Sequence, residues 1–240
     1  MPTCEKPVAV ITGAGSGIGR AVALAMAHAG YHCVLAARTR QALEQTDALI
    51  RDVQPDTNTL IVPTDVADPN AVQHLIDTTL EHFERIDVLA NVAGYAPLVP
   101  LDQIDNPMLE RVTAVNYYAI VYTTRACWPI FKKHGQGVIC NISSMASIDP
   151  FTGFNIYGAA KAAVNIFTKA AADEGAVHNI KAYAIAPGAV ETPMLRASFD
   201  EDTLPRDKTL SPDEVTKVVM ECLTGLTDMQ SGETQVLPSP

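Results

Sequence analysis

The chain is short of positive charge. Its 240 residues carry 17 Lys and Arg against 27 Asp and Glu, a net charge of −10 and a pI near 4.9. That balance argues against a surface made for nucleic acid or an anionic membrane, while leaving room for a local positive site around an anionic ligand. Long apolar runs are missing too. No stretch reaches the roughly 18 residues that span a bilayer, and residues 1–6 are polar, without the apolar segment of a secretion signal. Cysteine is sparse and scattered: Cys4, Cys33, Cys127, Cys140 and Cys222 form no CxxC pair and no Cys/His group spaced for zinc, so no metal site is expected. Four of the five sit in or beside apolar runs, which reads as small buried thiols in a reducing, cytoplasmic compartment. The histidines (His28, His32, His74, His82, His134, His178) are dispersed and read as solvent-facing.

What is present is apolar material: 48% of the residues are hydrophobic and 18% charged, enough for a sizeable core. It is arranged in a rhythm. Apolar runs at 7–12, 32–37, 59–63, 86–91, 137–142 and 180–186 read as strands, and the stretches 20–29, 41–52, 70–83, 108–133 and 156–178 as helices. Strands without alternation are buried on both faces, and repeated βα units call for a parallel sheet with right-handed crossovers. An α/β protein of one domain over 1–240 is expected. Residues 191–211 break the rhythm, being acidic and carrying Pro193 and Pro205 with Pro212 beside them; they are expected to form a lid over a site.

After the first strand comes Thr12-Gly13-Ala14-Gly15-Ser16-Gly17-Ile18-Gly19, opening the first helix. Glycines let a backbone turn sharply and approach a pyrophosphate, and a helix N-terminus offers it free N–H groups. The spacing is GxxxGxG on Gly13, Gly17 and Gly19, with Ile18 where GxGxxG would place its last glycine. Placed between strand and helix, the turn reads as a nucleotide site. The second strand ends in Ala37-Arg38-Thr39-Arg40 with no acid to hold a ribose 2′-OH; Arg38 can instead meet a 2′-phosphate through its donor fork. NADP(H) is therefore expected over NAD(H). Asp65, before Val66 and past the third strand, suits an adenine amino group, because Asp68 with Pro69 behind it is the better helix cap.

Tyr157 and Lys161 are four residues apart, one turn along one helical face, with Ser144 thirteen residues upstream. With seven tyrosines and eight lysines in the chain, about 0.2 such pairs arise by chance. An ammonium beside a phenol lowers its pKa, and such a phenol can exchange a proton with a carbonyl or alcohol oxygen.

Taken in order, these residues resemble the short-chain dehydrogenase/reductase family over nearly the whole chain. Thr12–Gly19 resembles its TGxxxGxG and Asn91-Val92-Ala93-Gly94 its NNAG; Asp65, Asn116, Ser144, Tyr157 with Lys161, and Pro187-Gly188 with Thr192 follow. The resemblance implies a Rossmann-type, doubly wound parallel sheet of about seven strands with helices on both faces. It implies that Ser144 polarises the substrate oxygen, that Tyr157 is the acid/base, that Lys161 lowers its pKa and holds the nicotinamide ribose, and that Asn116 holds a water linking Lys161 to solvent. Cofactor contacts are implied for Gly13, Ser16, Gly17, Ile18, Gly19, Arg38, Asp65, Val66, Asn91, Ala93, Gly94, Tyr157 and Lys161. Pro187, Gly188, Val190 and Thr192 would meet the nicotinamide end. Ser143 is the rival serine, but the offset to Tyr157 favours Ser144.

Two departures stand out. Val92 replaces the second asparagine of NNAG, and residues 231–240 stop where relatives continue as an apolar strand ending in glycines. The second departure puts the tetramer contact in doubt, leaving a homodimer or homotetramer through the helices at 108–133 and 156–178. The expected activity is NADP(H)-dependent interconversion of a small-molecule carbonyl and alcohol. An NAD(H)-dependent relative and a non-catalytic nucleotide sensor are the alternatives. Tyr95, Ser147, Phe151, Phe154, Met194, Leu195 and Phe199 are candidate substrate-pocket residues, and the acids Asp200, Glu201 and Asp202 hint against a polyanionic substrate.

Overall fold

A computed structural model describes residues 6–240, so Cys4 lies outside the described part. Seven strands, β1 (Val8–Thr12), β2 (His32–Ala37), β3 (Thr59–Pro63), β4 (Val88–Asn91), β5 (Gly137–Ile142), β6 (Ile180–Pro187) and β7 (Thr234–Leu237), form one parallel sheet in the order β3-β2-β1-β4-β5-β6-β7. The helices are α1 (Gly17–His28), α2 (Arg40–Val53), α3 (Pro69–Phe83), α4 (Asn106–Thr113), α5 (Ala119–His134), α6 (Asn155–Gly175), α7 (Pro193–Arg196) and α8 (Pro212–Thr224).

The strand β1 shows why the apolar runs lack alternation. Successive side chains leave a strand on opposite faces. Ala9 and Ile11 enter a core shared with Val22 and Met26 of α1, Leu43 of α2 and Val219 of α8. Val8 and Val10 enter a second core with Leu75 of α3, Phe131 of α5 and Ala171 of α6. Both faces are covered, and both must be apolar. The direction in which strands are added reverses between β1 and β4, so the crevice for a ligand opens at their carboxyl ends.

Four local features depart from the sequence reading. The long helix expected over 108–133 is interrupted by a π-helical turn at Ala114–Tyr118 that separates α4 from α5; such turns re-aim side chains and recur at functional sites. A helix, α8, follows the acidic stretch. Its signal was in the chain, since Ser211 and Glu214 close a capping box with Pro212 in the first turn. The polar-looking C-terminal stretch still supplies the edge strand β7, paired with β6 through Thr234 to Leu237. His32 is not solvent-facing: it is buried in β2, its Nδ1 accepts the Asn58 N–H at 3.1 Å and its ring stacks on Phe83 at 5.4 Å. Burial holds that imidazole below its ordinary pKa. The helix cap assigned to Asp68 is present, its carboxylate accepting the Asn70 N–H at 2.9 Å. Cys33, Cys127, Cys140 and Cys222 are buried free thiols, and burial pushes Cys33 and Cys127 up to about 12. Among the described residues no helix is long and apolar enough to cross a membrane.

Candidate active site

The crevice at the carboxyl ends of β1 and β4 is a cavity of about 990 Å³, at the top of the range for ligand and cofactor sites. Its floor at one end is the glycine turn. Gly13 has φ +71°, and a Cβ there would stand 2.9 Å from the Ala93 nitrogen; Gly17 has φ +50° and faces Thr192 Cγ2. Thr12 holds the turn against the next crossover, its Oγ1 accepting the N–H groups of Val92 and Ala93 at 3.0 and 3.2 Å. That bond uses the backbone at position 92, and the Val92 side chain packs on the core, so the asparagine missing there is not needed for the turn.

The ends of the helices differ in a way that matters for phosphate. Side chains of Asp68, Asp105 and Ser211 cap α3, α4 and α8. Ser16 before α1 and Thr39 before α2 make no such bond. The N-termini of α1 and α2 border the cavity at this end, with Arg38 exposed beside the second; α6, which Phe154 starts without a side-chain cap, opens at the other end. Free N–H groups and the positive end of the helix dipole are what a phosphate requires. A dinucleotide fits this end on the backbone geometry alone. Asp65 also lines the cavity, but it is engaged: Arg111 of α4 pairs with it at 3.0 Å and the Ala67 N–H reaches it at 3.1 Å. Burial pushes its carboxyl up, yet these bonds and the Arg111 and Arg38 charges outweigh it and hold the pKa below the ordinary value. Arg111 belongs to no motif, and its only signal in the sequence is its place in the first helix of an interrupted pair.

Ser144, Tyr157 and Lys161 meet at the other end. The loop after β5 presents Ser144, whose Oγ accepts the Ala146 N–H at 3.1 Å and which lines the cavity together with Tyr157. Tyr157 and Lys161 project from the first turns of α6. Lys161 is 2% exposed; its ammonium donates to the Ile142 carbonyl at 2.6 Å and lies 5.8 Å from the Tyr157 ring centroid. Burial lowers the Lys161 pKa from 10.5 to about 8. It also raises the Tyr157 phenol, and Ser144 works against that rise. The phenol is therefore raised where a depression by the lysine is expected, and burial is the largest influence on it. Ser143 is buried, with its Oγ donating to the Lys161 carbonyl at 3.2 Å, a structural bond that anchors α6.

Two expected site residues stand behind the cavity wall. The Asn116 amide accepts the Tyr95 N–H at 3.1 Å and donates to the carbonyls of Tyr95 and Val112 at 2.7 and 2.8 Å. The π turn thus aims the Asn116 amide at the loop after β4. Asn91 donates to Asn141 at 2.9 Å and accepts from Thr123 at 2.8 Å, joining β4 to β5 and α5. The remaining expected catalytic and cofactor-binding residues all line the cavity. Gly94 has its open side toward Asn116, Met194 and Lys161.

The stretch from Val190 to Leu210 forms the far wall. A bridge between those two residues closes its neck, and Arg196 ties it internally by pairing with Glu191 and donating to the Phe199 and Leu204 carbonyls. Met194, Leu195, Phe199 and Leu204 face the cavity. Asp200, Glu201 and Asp202 do not; Asp200 accepts the Thr203 N–H and Glu201 pairs with Arg206. Their charge faces solvent and bears little on the ligand. Ser147 also turns away, accepting from Asn165 at 2.9 Å. Ser239, which no motif marks, fills the open side of Gly188 and reaches the cavity.

Residues 7–203 match the family described as short chain dehydrogenase. An uncharacterized oxidoreductase of Staphylococcus aureus (strain USA300) is 30% identical over 238 residues, covering 99% of this chain and 100% of that protein. A 3-ketoacyl-(acyl-carrier-protein) reductase from Brucella melitensis, solved with NADH, superimposes with a TM-score of 0.88 at 27% identity over 98% of this chain and 97% of that one. An alcohol dehydrogenase from the archaeon Thermococcus sibiricus, solved with 5-hydroxy-NADP, does so at 0.86 and 28% identity over 98% and 97%. The doubly wound sheet, the uncapped glycine turn, the Ser144–Tyr157–Lys161 group and these likenesses point one way: the chain belongs to the short-chain dehydrogenase/reductase family of oxidoreductases.

Proposed function

We propose that the protein interconverts a carbonyl compound and its alcohol with NADP(H), Tyr157 serving as the acid/base. One observation carries this reading: Ser144, Tyr157 and Lys161 line a single cavity with the uncapped N-termini of α1 and α2. A nicotinamide bound there would supply hydride in reduction and accept it in oxidation. In reduction, the electron pair of the C=O bond moves onto oxygen as the carbon gains hydride, and Tyr157 gives its phenolic proton to that oxygen. Burial keeps the phenol protonated at neutral pH, which suits this role. Ser144 donates a hydrogen bond where the negative charge gathers. Lys161 supplies a nearby positive charge, fixed by the Ile142 carbonyl. In oxidation the same groups run in reverse.

Arg38, beside the uncapped start of α2, favours the 2′-phosphate of NADP(H) over the diol of NAD(H). The segment 191–211 acts as a lid over the reacting end. Tyr118 and Ile166 are 45% and 71% exposed on α5's entry turn and on α6, apolar surface that fits pairing with a second copy of the chain. Four buried reduced thiols suit a cytoplasmic setting. The test is an NADPH-oxidation screen over ketones, aldehydes, quinones and keto-sugars, with Tyr157→Phe as control. Turnover is expected in the native protein and a loss of at least about 10²-fold in the variant, with NADPH binding retained. Full activity in Tyr157→Phe would overturn the assignment.

A further inference from the structure

At the reacting end of the cavity, four aromatic rings from three parts of the chain converge. Phe154, at the entry to α6, is the hub: its ring centroid is 5.3 Å from that of Tyr157, 6.2 Å from that of Phe151 and 6.2 Å from that of Phe199. The Phe151 and Phe199 contacts are edge-to-face, at 61° and 84°. Phe199 comes from the segment between Val190 and Leu210, so the cluster is complete only when that segment lies against the entry of α6. These rings are not core filling. All four line the cavity, and Phe151 is 58% exposed. Leaving a phenyl ring open to water costs free energy that a bound apolar surface would recover.

Charge is absent from the same wall. The charged residues lining the cavity are Arg38, Asp65, Arg111 and Lys161. The first three stand at the glycine-turn end, and Lys161 is bound to the Ile142 carbonyl. The acids of the 200–202 run are turned outward. An anionic substrate would meet no cation here beyond the one already assigned to the chemistry, whereas a flat neutral ring would meet faces and edges at ordinary aromatic distances.

We propose that the substrate is a neutral, ring-bearing ketone or alcohol, its ring held among Phe151, Phe154 and Phe199 with its oxygen at Tyr157 and Ser144. This rests on the carbonyl/alcohol reading above and names the substrate class for that site. The probes are 2-tetralone as the neutral ring ketone, 2-butanone as a neutral ketone without a ring, and acetoacetate as an anionic one. Each is measured for NADPH-dependent turnover and, by calorimetry, for binding to the protein with NADP⁺. Tetralone is expected to exceed both others at least tenfold in kcat/KM. Phe199→Ala should raise the tetralone KM at least tenfold and compress its advantage over 2-butanone. Phe151→Ala removes an exposed ring, spares the fold, and should act in the same direction by several-fold.

Acetoacetate or 2-butanone turned over as well as tetralone would overturn the ring assignment while leaving carbonyl reduction standing. Tetralone binding that weakens in both variants, with no ketone reduced, would overturn the reaction and support the ring site. Neither turnover nor tetralone binding would overturn the ring site as well.

Discussion

The two ends of the cavity are built from different materials. At the glycine-turn end the binding groups are backbone: two uncapped helix starts, with Arg38, Asp65 and Arg111 around them. At the other end they are side chains: four aromatic rings, Met194 and Leu195, with Lys161 as the only charge. Backbone geometry demands particular residues at fixed spacings, glycine above all, and so leaves a motif. Packing of apolar side chains demands only bulk and shape, which many sequences supply. One end is thus suited to a shared cofactor and the other to a substrate peculiar to this chain.

Lys161 stands where the two ends meet, and replacing it tests the division most severely. Lys161→Met should lower kcat by about 10²-fold to 10⁴-fold, through loss of the charge near Tyr157. The stability of the same variant carries a second readout. The folded pKa, about 8, lies below the unfolded value of 10.5, so burial penalises the protonated lysine. That penalty is in full force below pH 8 and fades as pH rises to 10.5. It is on the order of 3 kcal/mol at about 1.4 kcal/mol per unit. Chemical denaturation of the native protein should show stability gained between pH 8 and 10 relative to the methionine variant. Parallel pH profiles would mean that Lys161 does not titrate within that window.

Ser144→Ala should cost less, about 10-fold to 100-fold in kcat, and it also has a direction. Ser144 opposes the burial-driven rise of the Tyr157 phenol. Without it the phenol loses its proton at higher pH, so the alkaline rise of alcohol oxidation should move upward in pH. An oxidation profile that shifts downward would place another group in the acid/base role.

Arg38→Gln probes the backbone-built end alone. A charge-assisted bond to a 2′-phosphate is lost, so kcat/KM for NADPH should fall roughly tenfold to a hundredfold. NADH has no 2′-phosphate and should lose far less. Tighter binding of NADH than NADPH by the native protein would remove Arg38 from the selector role and point to Asp65 and Arg111 instead.

The same contrast explains what could be read from the chain. The sheet was legible because β1 to β6 are apolar on both faces, and the phosphate turn because Gly13 and Gly17 occupy positive-φ or close-approach positions. The role of Asn116 was only half legible: its place was marked, but the π turn that aims its amide at Tyr95 has no composition of its own. The helix α8 carries a local and explicit signal in its capping box. Ser239 could not have been found, since it reaches the cavity only because β7 pairs with β6 and carries the following residues across Gly188. Asp200 to Asp202 mark a related limit: a charge run shows its sign but not the side of the loop it occupies.

Arg196 offers the gentlest test, because it touches neither end directly. Its guanidinium pairs with Glu191 and holds the Phe199 and Leu204 carbonyls, which fixes the curve of the segment that carries Phe199 into the ring cluster. Arg196→Ala should leave NADPH affinity near its native value, since Arg38 and the starts of α1 and α2 are untouched. The KM of the carbonyl substrate should rise roughly fivefold, with a smaller fall in kcat, as expected when a covering segment closes less often. Arg196→Lys keeps the charge but not the fork that spans Glu191 and two carbonyls, so it should restore only part of the loss. Complete rescue by lysine would mean that the ion pair with Glu191 alone shapes the segment. An equal loss in NADPH affinity would mean that Thr192, which packs against Gly17, couples the segment to the glycine turn and that the two ends of the cavity are not independent.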